Sequence, residues 1–231
     1  MNRQNRNFQA LIGHLVDLYR VAKFNFNNPH SYTKYRAINS LRKRSNAKNF
    51  IEIGTYLGVT TKRCAPHFEQ VYTVELDIDL ANQAAEYLAK NQNVEVIQGD
   101  GLELLSKILK RPSIDDALIF LDGHFSEGDT ACGDFPEPAV EELRVISQYK
   151  HKVSAVIVDD FRLFGIQEGF PSKSALMKSA ETYFGEDDYT VQVYLDQLIL
   201  CRKPEKRAVQ APRNEMLAAK HHSLKSISLE N

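Results

Sequence analysis

One stretch constrains this chain more than any other: Phe50-Ile51-Glu52-Ile53-Gly54-Thr55-Tyr56-Leu57-Gly58-Val59-Thr60-Thr61. A short apolar run closes, two glycines follow four residues apart, and a helical pattern begins behind them. A run this short and apolar suits a strand covered on both faces, which is the situation of a parallel sheet. Glycines at the turn accept positive φ and leave backbone bare enough for a ligand to lie against it.

The same rhythm repeats down the chain. Strands are expected at 49–53, 71–75, 94–98, 117–122 and 153–158, and helices at 58–65, 79–90, 101–109, 137–149 and 172–184. Two further strands, Tyr189 to Tyr194 and Gln197 to Arg202, flank Leu195-Asp196 as an antiparallel hairpin. Right-handed crossovers then give an α/β chain with a Rossmann-like, doubly wound, mostly parallel seven-stranded sheet closed by that hairpin. Ahead of the sheet, Phe8, Leu11, Ile12, Leu15, Val16, Leu18, Tyr19 and Val21 repeat at helical spacing, and Tyr35 to Arg44 reads as a second, basic helix. Covering a sheet edge, walling a substrate pocket and forming a homodimer contact are the roles open to them. The organisation expected is an N-terminal helical arm over 1–48, a domain over 49–202, and a polar basic tail over 203–231 with some helix around Glu215 to Lys220.

No run of about 18 apolar residues exists, so no membrane-spanning segment is expected. Met1 to Arg6 has no apolar stretch behind it of the kind a secretion signal needs, and Cys64, Cys132 and Cys201 are odd in number and widely spaced. Both features point to the cytoplasm rather than to a disulfide framework. The net charge of −1 hides an asymmetry: residues 1–50 carry ten Lys/Arg against a single acid, Asp17. A basic arm lying on an acidic domain explains this most simply; docking of nucleic acid is the alternative.

In an open parallel sheet, ligands bind beyond the carboxyl ends of the strands, at the point where the strand order reverses. Every parallel strand here ends in acid: Glu52, Glu75, Asp100 (within Gly99-Asp100-Gly101), Asp122 (within Asp122-Gly123-His124) and the pair Asp159-Asp160. Carboxylates so gathered repel unless something positive or hydrogen-bond donating stands among them. A dinucleotide is a poor candidate for that role. Its pyrophosphate wants glycines where this chain has Tyr56 and Val59, and its phosphates would face acids at all five strand ends.

The motif Glu52-Ile53-Gly54-Thr55-Tyr56-Leu57-Gly58, with the ordered strand-end acids, resembles the class I S-adenosylmethionine-dependent methyltransferases, in their catechol O-methyltransferase-like and macrolide sugar O-methyltransferase-like branch. The likeness covers roughly residues 48–202 and implies an enzyme that binds S-adenosylmethionine. Glu75 would hold the ribose hydroxyls; Asp100, between Gly99 and Gly101, would meet the adenine. The turn from Glu52 through Gly54, Thr55, Tyr56 and Gly58 would receive the methionine part, with Thr60 or Thr61 bonding its carboxylate and Asp122 closing that side. The donor's sulfonium is a cation, so acidic surroundings suit it.

Asp122, Asp159 and Asp160 end neighbouring strands, and three convergent carboxylates invite a hard divalent cation such as Mg2+. The resemblance implies the same metal positions. It also implies a lysine base after the fourth strand, where this chain reads His124-Phe125-Ser126-Glu127 and the next lysine is Lys150. His124 is therefore the candidate general base, with Asp122 beside it. The loop Gly123 to Pro138 is a candidate lid, and Phe161, Phe164 and Phe170 are candidate pocket walls. Arg162 would face an anionic substrate group or the acidic rim; Ser172 reads as a helix cap. The expected reaction is O-methylation of a small hydroxylated molecule. The alternatives are RNA or protein methylation using the basic arm, against which stands the missing N-P-P-Y-like tetrapeptide at Leu121-Asp122-Gly123-His124, and a non-catalytic cofactor-binding protein.

Overall fold

Apolar strands of five or six residues need cover on both faces, and they receive it. The computed structural model of the chain describes residues 7–25, 29–123 and 137–204. Its elements run α1 (Asn7–Ala22), α2 (Ser31–Ser45), β1 (Asn49–Ile53), α3 (Val59–Cys64), β2 (Gln70–Glu75), α4 (Ile78–Leu88), β3 (Val94–Gln98), α5 (Gly101–Leu109), β4 (Ala117–Leu121), α6 (Ala139–Ser147), β5 (Val153–Val158), α7 (Lys173–Phe184), β6 (Tyr189–Tyr194) and β7 (Gln197–Arg202). The seven strands form one sheet in the order β3-β2-β1-β4-β5-β7-β6. β3, β2, β1, β4 and β5 pair in parallel, and β7 joins β5 and β6 antiparallel. This is the doubly wound architecture expected, with strand bounds within one residue of those read from the periodicity. No helix among the described residues is long and apolar enough to cross a membrane.

Side chains alternate across the sheet, and the two faces carry separate cores. Ile51, Ile53, Tyr72, Val74, Ile119 and Leu121 face a layer built with Leu105, Leu143, Ile146, Leu176 and Phe184, from α5, α6 and α7. Phe50, Val71, Leu118, Phe120, Ala155 and Ile157 face Ile38 and Leu41 of α2 and Cys64 of α3. Helix α1 is different. Phe8, Leu15 and Tyr19 on it are each more than half exposed, so its apolar residues cover little of the domain.

Helix α2 starts at Ser31, four residues before its sequence pattern suggests, and its start is anchored from another helix. Its own N-cap, His30, makes no side-chain cap. Instead Asp17 of α1, almost fully buried, accepts from the His30 backbone N–H at 2.7 Å, His30 Nδ1 at 2.7 Å and Thr33 Oγ1 at 2.6 Å. A carboxylate at a helix N-terminus satisfies orphan donors and complements the dipole. Burial opposes the Asp17 charge, but the bonds from Thr33 and His30 prevail and hold its carboxyl below the ordinary range. No local signal reveals a cap supplied from so far back in the chain.

A second buried acid ties the turn after β1 to the sheet. Glu52 shares the strand face of Phe50, and Oε2 accepts from Thr61 Oγ1 of α3 and, at 2.7 Å, from Thr73 Oγ1 of β2. Thr73 in turn bonds Thr55 at 2.6 Å. The Glu52 carboxyl is pushed up to about 7, because burial outweighs the two hydroxyl donors.

Replacing Asp17 with alanine strands several donors and should lower unfolding free energy by about 2–3 kcal/mol in urea titration. For Glu52, a folded value of about 7 above the ordinary 4.5 favours the neutral carboxyl in the folded state. Its contribution is full below the ordinary value and is lost as pH rises through the folded one. Relative to Glu52→Gln, the wild type should therefore lose on the order of 3 kcal/mol between these two pH values. A flat difference across that window would contradict the assignment.

Candidate active site at the strand ends

The sheet ladder continues past the strands and sets their ends in a row. Gly99 N–H donates to the Glu75 carbonyl, Gly54 N–H to Val74, Asp122 N–H to Ile53 and Asp159 N–H to Leu121, each at 2.9 Å. From one edge the row reads Asp100, Glu75, the Gly54 turn, Asp122, then Asp159 and Asp160. The strand order reverses between β1 and β4, which is where such sheets open a crevice. At that reversal Gly54 has φ +95°, and a Cβ on it would lie 2.4 Å from the Asp122 carbonyl oxygen. Only glycine fits.

The half of the row on the β2 and β3 side is organised by Glu75. Its carboxylate is buried and accepts from the Tyr56 backbone N–H at 2.7 Å and the Asp77 N–H at 3.1 Å. Tyr56 itself sits at φ +50°, a left-handed conformation that tyrosine seldom adopts and that is typical of functional turns. Each carboxylate oxygen has a second acceptor direction, so Glu75 can be held by backbone and still receive hydroxyls. Asp100 caps α5, accepting from the Glu103 N–H at 3.0 Å, and Gly101 lies against Ile53, where a Cβ would come within 2.4 Å of Cγ2. Gly58 is the N-cap of α3 at φ +72°. Thr55 and Thr61 turn their hydroxyls inward to Thr73 and Glu52, which leaves Thr60 as the threonine of this turn with no inward bond of that kind. Glu52 likewise acts from beneath the turn.

The other half holds the feature that the sequence reading missed. Asp122, Asp159 and Asp160 do converge, as expected, but upon Lys34 of α2. The Lys34 ammonium pairs with Asp159 Oδ2 and lies 3.6 Å from Asp122 Oδ1 and 3.7 Å from Asp160 Oδ1. Its side chain is 13% exposed and that of Asp159 fully buried. Burial works against the lysine charge, yet the three carboxylates outweigh it and hold the ammonium well above the ordinary lysine range. Gln197 Nε2 donates to Asp159 Oδ1 at 3.1 Å. Arg162 Nη1 pairs with Asp160 at 2.7 Å and with Asp196, whose turn at positive φ joins β6 to β7.

A divalent ion does not fit the carboxylates as placed. Mg2+ needs oxygen ligands at about 2.1 Å in near-octahedral array, and an ammonium stands where those ligands converge. Among the described residues, no group of three or more His, Cys, Asp or Glu side chains is arranged to hold a metal ion.

Arg162 takes the acidic-rim role rather than facing open solvent for a substrate anion. Phe164 and Phe170 are core residues packed edge to face at 5.5 Å, with Phe161 stacked on Phe164, so the loop's aromatics anchor it to the domain instead of walling a pocket. Ser172 caps α7 by accepting from the Ala175 N–H at 3.1 Å. His124, the rest of the lid loop through Pro136, and the helix expected near Glu215 lie outside the described residues. Lys34 did leave a trace in the sequence: it shares one helical face with Ile38 and Leu41, both buried, in a helix otherwise rich in solvent-facing charge.

The family model for ribosomal RNA adenine dimethylase matches residues 24–177. No curated protein sequence matches the chain. Among solved structures, an O-methyltransferase from Bacillus cereus in complex with SAH is similar over 82% of this chain and 90% of its own, at 20% identity and a TM-score of 0.55. The O-methyltransferase TomG from Streptomyces achromogenes, involved in tomaymycin synthesis and solved with SAM, is similar over 87% of this chain and 99% of its own, at 17% identity and a TM-score of 0.54. Likeness at such identity establishes the fold; the family model, spanning well over half the residues, establishes kinship. The chain belongs to the ribosomal RNA adenine dimethylase family, and with it to the S-adenosylmethionine-dependent methyltransferases.

Proposed function

We propose that this methyltransferase acts on a hydroxyl oxygen of a small molecule. The observation that carries this reading is the Lys34 cation at the acceptor half of the strand-end row. Methyl transfer to a neutral amine builds positive charge on nitrogen, which a fixed ammonium nearby opposes. Transfer to a hydroxyl requires the proton to leave and negative charge to gather on oxygen, to which an ammonium N–H of Lys34, itself held by Asp122, Asp159 and Asp160, can donate. The donor's sulfur–methyl bond breaks as the oxygen–carbon bond forms, and the sulfonium becomes a neutral thioether. The hydroxyl proton leaves to a base; His124 and Asp122, two positions apart in the sequence, are the candidates. Glu75 holds the donor ribose, Asp100 the adenine, and the Gly54–Gly58 turn the methionine part. What the chain's residues contribute is orientation of the two reactants in line, and electrostatic support where charge gathers.

Two observations favour a second reading, methylation of RNA: the family match and the basic surface of α2, with Arg36, Arg42, Lys43 and Arg44. Against it, β4 ends in Leu121-Asp122-Gly123, where many nitrogen-methylating enzymes carry an N-P-P-Y-like tetrapeptide. Transfer from a donor with a radiolabelled methyl group separates the two. Label should enter a panel of small phenols and hydroxylated sugars and stay out of structured ribosomal RNA; label in RNA alone would replace this reading with the second. Glu75→Ala should weaken donor binding at least about tenfold by calorimetry, through loss of charge-assisted hydrogen bonds. Unchanged binding would remove Glu75 from the donor site.

A further inference from the structure

Carboxylates from β4 and β5 meet within a few ångströms of one point, and something must neutralise them there. In this chain the neutralising charge is attached covalently. Lys34 rises from the first turn of α2, and that turn is fixed twice: Ile38 and Leu41 sit in the core on the same helical face, and Asp17 caps the helix from α1. The ammonium is thus delivered by a rigid element to a set place, in contact with Asp159 and within 3.7 Å of Asp122 and Asp160. Around it the acids are themselves held: Asp159 by Gln197, Asp160 by Arg162, and Arg162 by Asp196. A divalent ion could enter only by expelling a buried, ion-paired lysine, which would leave that charge without partners.

We propose that Lys34 is a built-in replacement for a divalent cation: its ammonium holds the position among Asp122, Asp159 and Asp160 that a metal would take, and it serves the acceptor half of the site as a positioning charge. The replacement rests on geometry alone; the service to an acceptor rests on the function proposed above. A tethered ammonium differs from a metal in consequence. It carries one charge rather than two, offers N–H donors rather than open coordination positions, and cannot be removed by a chelator.

The test is manganese binding, followed by electron paramagnetic resonance of the free ion in the presence of the full chain. Wild type should bind none at the carboxylates at about 1 mM Mn2+. Lys34→Met, of similar length but uncharged, should bind about one ion per chain, and the added change Asp159→Asn should abolish it. Lys34→Arg, which restores a cation, should again bind none. Lys34→Gln carries the same expectation as Lys34→Met should the latter not fold. Wild-type binding that Asp159→Asn removes would overturn the proposal, as would a folded Lys34→Met or Lys34→Gln that binds no manganese. Donor binding, measured on the same proteins by calorimetry, is a separate readout: its absence from wild type would sink methyl transfer and leave the replacement standing.

Discussion

Everything at the strand ends depends on the approach of β1 to β4. Gly54 lies so close to the Asp122 carbonyl that any side chain would collide with backbone, and backbone at a sheet centre cannot give way cheaply. This contact brings the glycine turn, with its bare amides, beside the first acid of the acceptor half. Glu52 secures the turn from below through Thr61 and Thr73, and Glu75 secures it from the side through the Tyr56 amide. The surface at the reversal point is therefore already fixed by the sheet.

The charges divide along the same line. On the β2 and β3 side, acids are neutralised by backbone N–H groups: Glu75 by those of Tyr56 and Asp77, Asp100 by that of Glu103. Such acids keep acceptor capacity for a ligand's hydroxyl and amino groups. On the β4 and β5 side, acids are neutralised by cations, Lys34 and Arg162. Two kinds of neutralisation along one row separate a half whose acids are held by backbone N–H groups from a half whose negative charge is partly offset by two side-chain cations. Together they explain why acids at all five strand ends can share one edge of a sheet.

How much of this was legible in the sequence follows the distance over which each feature is determined. The strands, and the acids ending them, were readable because burial on both faces is written into each strand's own residues. The placing of Glu75 and Asp100 at one end of the sheet was readable for the same reason, since each follows its own strand. Lys34 was not, because its partners come from β4 and β5, and the start of its helix is anchored by Asp17 rather than by residues beside it. Phe164 and Phe170 were misplaced because an aromatic loop looks alike whether it lines a pocket or plugs a core; only packing decides, and here it is core. Arg162 pairs with Asp196, which lies in a turn between two later strands and so has no trace beside Arg162 in the sequence.

The central claim is that one edge of the sheet binds the methyl donor beside a carboxylate cluster closed by lysine. A crystal structure of the chain grown with S-adenosylhomocysteine and manganese addresses both halves at once. The account predicts the nucleoside against Glu75 and Asp100, Lys34 still bonded to Asp159, and no anomalous peak among the three acids. An anomalous peak between Asp122, Asp159 and Asp160 with Lys34 turned away, or a nucleoside bound elsewhere, would contradict it.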